Sequence, residues 1–169
     1  RGGRLFLEAF RLFLDREGLG PEKATLLTLG DRTREDEEAI TRLGLGPYVE
    51  RHPWLTFPQS PRLLGRSHLL LDLTAPHHYL RISAKLYDYL AMKRPILSVS
   101  ENPEVAEIIR RTGAGWAVGN DHEAIAAALA EAHRLKVERR SLPFNEEALR
   151  DYQARPAAEK LARLLDAAP

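Results

Sequence analysis

Cysteine is absent from the 169 residues, which excludes disulfides and thiolate metal sites. A surplus of one charge sign is absent too. The 25 basic and 24 acidic side chains leave a formal net charge of +1, so nothing points to nucleic acid as a partner. No apolar run approaches the ~20 residues of a membrane span, and Leu69-Leu70-Leu71 is cut off by Asp72. No stretch resembles a signal peptide, and the chain is expected in the cytoplasm. There is no P-loop and no Gly-x-Gly-x-x-Gly; Gly113-Ala114-Gly115 precedes a strand and reads as a helix stop and turn. No serine sits in a nucleophile-elbow context. The pair His77-His78 invites a metal, but adjacent side chains diverge and no Asp/Glu/His cluster at ligand spacing accompanies them, so no metal is expected.

What remains is an ordinary globular composition, 44% hydrophobic and 29% charged, long enough for one domain with a real core. Apolar spacing predicts a helix over Arg4 to Arg16, stopped by Gly18 and Gly20-Pro21. A strand candidate runs from Ala24 to Leu29. Thr33-Arg34-Glu35-Asp36 resembles a capping box and opens a helix to about Leu43. A short strand is expected at Trp54 to Phe57, a helical turn near Pro61, and a buried parallel strand at Leu69 to Leu73. Asn102-Pro103-Glu104 is a helix start with cap, proline and first-turn acid. Gly115 to Val118 is a strand, Asp121 caps a helix from His122 to Leu135, and helices at about Asn145–Asp151 and Pro156–Ala167 close the chain. Strands alternating with helices predict an α/β fold, a parallel sheet with helices on both faces.

The stretch from Ser83 to Leu97 organises the rest. Leu86 and Leu90, with Ile82 one turn back, form an apolar helical stripe, while Lys85 and Asp88 lie three apart on another face. Pro95 stops the helix before the strand Ile96-Leu97-Ser98-Val99. Leu71, Leu86, Leu90, Ile96 and Val99 are the expected core.

Lys85-Leu86-Tyr87-Asp88-Tyr89-Leu90-Ala91 followed by Pro95-Ile96-Leu97 resembles the donor-site segment of retaining, nucleotide-sugar-dependent glycosyltransferases of the GT-B fold. Gly113-Ala114-Gly115-Trp116-Ala117-Val118, then Asp121 and Glu123-Ala124-Ile125, continue the similarity. It spans roughly Gly2 to Leu165, with the specific part in the second half. The resemblance implies a Rossmann-like donor-binding domain filling residues 1–169, and an acceptor-binding domain outside them. It implies a sheet of six strands against the five read from the residues: either the first, central strand lies outside the 169 residues, or the five-strand reading is one short.

The same resemblance implies hexosyl transfer from a nucleotide sugar to an acceptor, with retention. The donor is a substrate, and no cofactor is expected. Any peripheral membrane contact would belong to the other domain, and the 169 residues alone are expected to be inactive. Asp88 stands where the family places a glutamate that receives the ribose hydroxyls; a carboxylate can accept two charge-assisted bonds from a cis-diol. Lys85, Arg81 and the helix start at Ser83 suit a diphosphate, and Arg4 could match the family's arginine after its first strand.

Eight positions before Asp88 the family commonly has another glutamate reaching the sugar. Here Leu80 stands there, and His77, His78, Tyr79 and Arg81 are the nearby replacements. No catalytic residue is assigned. Two other readings stay open: a non-catalytic nucleotide-binding or interaction module, and a nucleotide-sugar epimerase domain of the same architecture.

Overall fold

The computed structural model describes residues 2–56, 59–74 and 81–166. Helix α1 (Gly2–Glu17) leads to strand β1 (Leu26–Leu29), helix α2 (Arg34–Arg42) and strand β2 (Val49–His52). A short helix α3 (Ser60–Leu64) precedes strand β3 (Leu70–Leu73), helix α4 (Ala84–Met92) and strand β4 (Ile96–Val99). Helix α5 (Pro103–Thr112), strand β5 (Gly115–Val118) and helices α6 (His122–Val137), α7 (Glu146–Arg150) and α8 (Ala154–Asp166) complete the order.

All strand pairs among the described residues are parallel, as the alternation of strands and helices predicts. They form two sheets, however: β1 with β2, and β3-β4-β5 with β4 in the middle. β4 is buried along its whole length because helices cover both faces. Its Leu97 and Val99 pack into a core with α1 and α6, around Phe6, Phe10, Leu14, Ile125 and Leu129. Its Ile96 joins a second core with Leu86 and Leu90 of α4 and Val105, Ile108 and Ile109 of α5. The first core also holds Val49 of β2 and receives Leu26 of β1, so α1 ties both sheets together from one side. The result is a Rossmann-like α/β domain.

Local signals account for the helix ends. Thr33 Oγ1 accepts from the Asp36 amide at 3.2 Å while Asp36 Oδ2 accepts from the Thr33 amide at 3.3 Å, the reciprocal bonds of a capping box. Asn102, Asp121 and Asn145 cap α5, α6 and α7 through their side-chain oxygens. Gly113 ends α5 at φ 62°, where a side chain would be strained and would meet the Pro143 carbonyl oxygen at 2.5 Å.

Two expectations are corrected. The strand placed at Trp54 to Phe57 lies earlier, at Val49–His52; residues 54–56 are not in a strand, and Phe57 is outside the described residues. The true strand has only Val49 buried. It pairs on one side with β1, so Glu50, Arg51 and His52 need no apolar character, and no apolar run marks it. Leu71 is half-buried, whereas Leu86, Leu90, Ile96 and Val99 are buried. Leu71 borders an open slot between the two sheets.

Candidate functional site

That slot is a cavity of about 1100 Å³ between β1 and β3. Leu26–Leu29 and Leu70–Leu73 border it from opposite sides, Phe6 and Leu7 of α1 contribute apolar wall, and α4 flanks it. Where α4 begins, Ser83, Lys85 and Asp88 line it together with Asp72 near the carboxyl end of β3. Beyond the carboxyl ends of parallel strands is where such sheets place their ligands.

Helical spacing explains the grouping on α4. Leu86 and Leu90 are turned into the core at 0% and 2% exposure. Lys85 and Asp88, three apart, are turned out to solvent and to the slot. Neither is in an ion pair with any described residue, which removes the intrahelical pair as an explanation of Asp88 among those residues. Ser83 occupies the cap position in extended conformation (φ −67°, ψ 132°), yet its hydroxyl caps no amide of the helix. The helix therefore begins with positive dipole and, among the described residues, no side-chain oxygen on its first amides.

In the sequence Asp72 is only the break in an apolar run, and its place on the border of the slot is not among the expectations. A carboxylate two residues from Leu70 shares the buried face of the strand and needs a partner there. It is 2% exposed and accepts a 3.0 Å bond from Ser98 Oγ. Burial pushes its carboxyl above the ordinary range, while the Ser98 hydroxyl, the Lys85 charge and the Ser83 hydroxyl pull it back. The Tyr89 phenol, also buried, is pushed up by burial and by the charges of Asp72 and Asp88. Lys85 and Ser83 thus act on Asp72, and Asp72 and Asp88 both act on Tyr89, along the same border of the slot.

The other expected residues fall elsewhere. Arg4 pairs with Glu8 at 3.0 Å on the surface of α1 and does not line the slot, although Gly3 does. Arg81 is exposed and outside the lining. His77, His78, Tyr79 and Leu80 lie outside the described residues. Trp54 is 75% exposed and lies over Gly30, its Nε1–H donating to Asp31 at 3.3 Å beyond the carboxyl end of β1. Among the described residues no group of three or more potential metal ligands occurs, and no helix is long and apolar enough to cross a membrane.

Comparison with known proteins bears on what this site serves. Residues 1–134 match the family model described as glycosyl transferases group 1. No curated protein matches the chain.

Proposed function

We propose, for a chain that belongs to the glycosyl transferases group 1, that residues 1–169 hold the donor of a glycosyl transfer reaction. The donor is a nucleotide sugar and the transfer retains anomeric configuration. The acceptor is bound by a domain outside these residues. The observation that carries the reading is the shared position of Ser83, Lys85 and Asp88, which line one cavity at the start of α4. A diphosphate laid against the first turn of α4 meets uncapped amides and the Lys85 ammonium. Both favour the charge that develops on the leaving nucleoside diphosphate as the glycosidic bond breaks, which is where electrostatic stabilisation lowers a barrier most. Asp88, one turn further along the helix, receives the ribose hydroxyls.

Calorimetric titration tests this directly. The chain should bind nucleoside diphosphates more tightly than the bare nucleosides. Asp88→Ala removes at least one charge-assisted bond, worth ~1.5–3 kcal/mol, so affinity should fall about tenfold or more. Lys85→Ala should weaken the diphosphate more than the nucleoside, with added salt shrinking the difference. Equal binding by the parent and Asp88→Ala, with a much lower melting temperature for the variant, would make Asp88 a structural residue. Residues 1–169 alone should transfer no sugar, and turnover by them would overturn the assignment of the acceptor to another domain.

Leu80, where the family commonly has a glutamate, favours a second reading, a module that binds the nucleotide without catalysis. A version of the protein carrying its acceptor domain separates the two: the module binds donor and leaves it intact.

A further inference from the structure

We propose that Arg32 is a second cation at the anion-binding mouth of the slot, giving its guanidinium fork to a phosphate group of the ligand from the side opposite Lys85. The inference rests on the donor reading and adds to it a residue that the sequence does not single out. Its first support is that Arg32 and Lys85 stand at the same end of the slot. Glu17, at the end of α1, lies 3.9 Å from His133 near the end of α6. Lys136, about one turn further on, lines the slot together with His68, which precedes β3. Burial, then the Lys136 and Arg94 charges, hold His68 below its ordinary range. The end of α1 therefore sits toward the amino end of β3, and its start, ~24 Å away along the helix, sits toward the carboxyl end. There a side chain on Gly3 would meet Asp36, in the first turn of α2 after β1. Both strands thus run out at one mouth, where Arg32 follows β1 and Lys85 lies in the first turn of α4.

Sorting the basic lining of the slot by its ends leaves these two together. Lys23 precedes β1, Arg66 and His68 precede β3, and Lys136 closes α6, all at the far end. Arg4, the arginine expected from the sequence, is bonded to Glu8 and does not line the slot. Among the described residues, Arg32 is what the β1 side of the mouth offers to an anion laid against the start of α4.

Arg32 is held in place before any ligand arrives. Its Nε donates to Glu37 Oε1 at 2.6 Å and its Nη1 to Thr28 Oγ1 at 2.8 Å, while Nη2 bonds to no described residue. The side chain is only 18% exposed, so much of its rotamer freedom is already lost on folding. Arg51 shares Glu37 at 3.1 Å, and one carboxylate therefore serves two guanidiniums. The bonds from Arg32 and then Arg51 hold that carboxyl below the ordinary range. The other acids lining the β1 side are engaged elsewhere: Asp36 is bonded by Thr33, and Glu50 pairs with His52 at 2.6 Å. A planar fork with free N–H groups matches phosphate oxygens, and Lys85 adds a point charge from the opposite side.

Calorimetric titration of the protein with inorganic diphosphate, a nucleoside diphosphate and the bare nucleoside tests the assignment. Arg32→Gln should weaken both diphosphates about tenfold or more and leave the nucleoside unchanged. Arg32→Lys should recover only part of the loss, because it restores the charge without the fork. Thr28→Val removes the hydroxyl brace, keeps the guanidinium, and should weaken the diphosphates less than Arg32→Gln does. If Arg32→Gln does not fold, Arg32→Lys against Thr28→Val carries the same comparison. Diphosphates bound by Arg32→Gln as by the parent overturn the proposal; where Lys85→Ala still weakens them, the donor reading stands without it. Equal losses for nucleoside and diphosphate, with a lower melting temperature, make Arg32 a brace between β1 and α2 and also overturn it. Arg32-dependent binding of inorganic diphosphate to which a nucleoside adds nothing upholds the Arg32 site and sinks the donor reading. A parent that binds neither diphosphate overturns both.

Discussion

Replacing Asp72 with asparagine isolates a buried charge by its pH dependence. Asp72 is 2% exposed, it accepts a hydrogen bond from Ser98 Oγ, and burial raises its carboxyl above the ordinary 3.8. An acid with a raised folded-state value holds its proton more tightly in the folded chain. Its contribution to stability is fully present below the unfolded value and is lost as pH rises through the folded one. One such group changes stability by at most ~1.4 kcal/mol per pH unit inside that window, and by nothing outside it.

Asp72→Asn keeps a carbonyl oxygen to accept from Ser98 and has nothing to titrate. The stability of the variant relative to the parent should therefore climb from about pH 4 upward, at up to that slope, and level off above the folded value. Ser98→Ala removes a donor that favours the carboxylate, so its loss of stability should extend to higher pH than the parent's. Urea unfolding from pH 3 to 8 measures all three proteins. Parallel profiles for the parent and Asp72→Asn, or a parent that gains on the variant as pH rises, would refute the argument that burial dominates at Asp72.

Other consequences are simpler to check. Leu86→Ala empties a fully buried site between α4 and α5 and should cost ~2–5 kcal/mol in denaturant unfolding; a cost below about 1 would mean the second core collapses around the gap. Gly115→Ala would put a methyl carbon 2.0 Å from the Ile96 carbonyl oxygen at φ 150°, whereas Gly18→Ala meets nothing within 4 Å at φ 61°. Calorimetric melts should show Gly115→Ala well below the parent and Gly18→Ala lowered only by its backbone strain, about 1 kcal/mol. Glu8, bonded by His122, Arg4 and Arg42, has its carboxyl held below the ordinary range, first by His122 and then by Arg4. Its contribution is present above the unfolded value of about 4.5 and lost as pH falls through the folded one, so Glu8→Gln should approach the parent's stability in acid and fall behind it at pH 7, by under ~1 kcal/mol for this exposed network.

Much of this molecule is decided locally and is readable in the chain. Ile96–Val99 and Gly115–Val118 are strands with the bounds the residues imply, and Thr33, Asn102 and Asp121 cap the helices they precede. Those features rest on backbone geometry and nearest-neighbour hydrogen bonds, which a few adjacent residues control. The spacing of Leu86 and Leu90 likewise fixes which side of α4 is core, and so leaves Lys85 and Asp88 outside it. Tertiary contacts decided the rest. Val49–His52 is a strand because β1 offers it an edge, although its own side chains are mostly polar. Asp72 is a perturbed acid because it lies with Leu70 on the buried face of β3, where water is excluded, and Arg4 is drawn to Glu8 on its own helix and away from the slot. The division of five parallel strands into a pair and a triplet depends on which edges meet in space, and edge pairing joins residues far apart in sequence, beyond the reach of any local pattern.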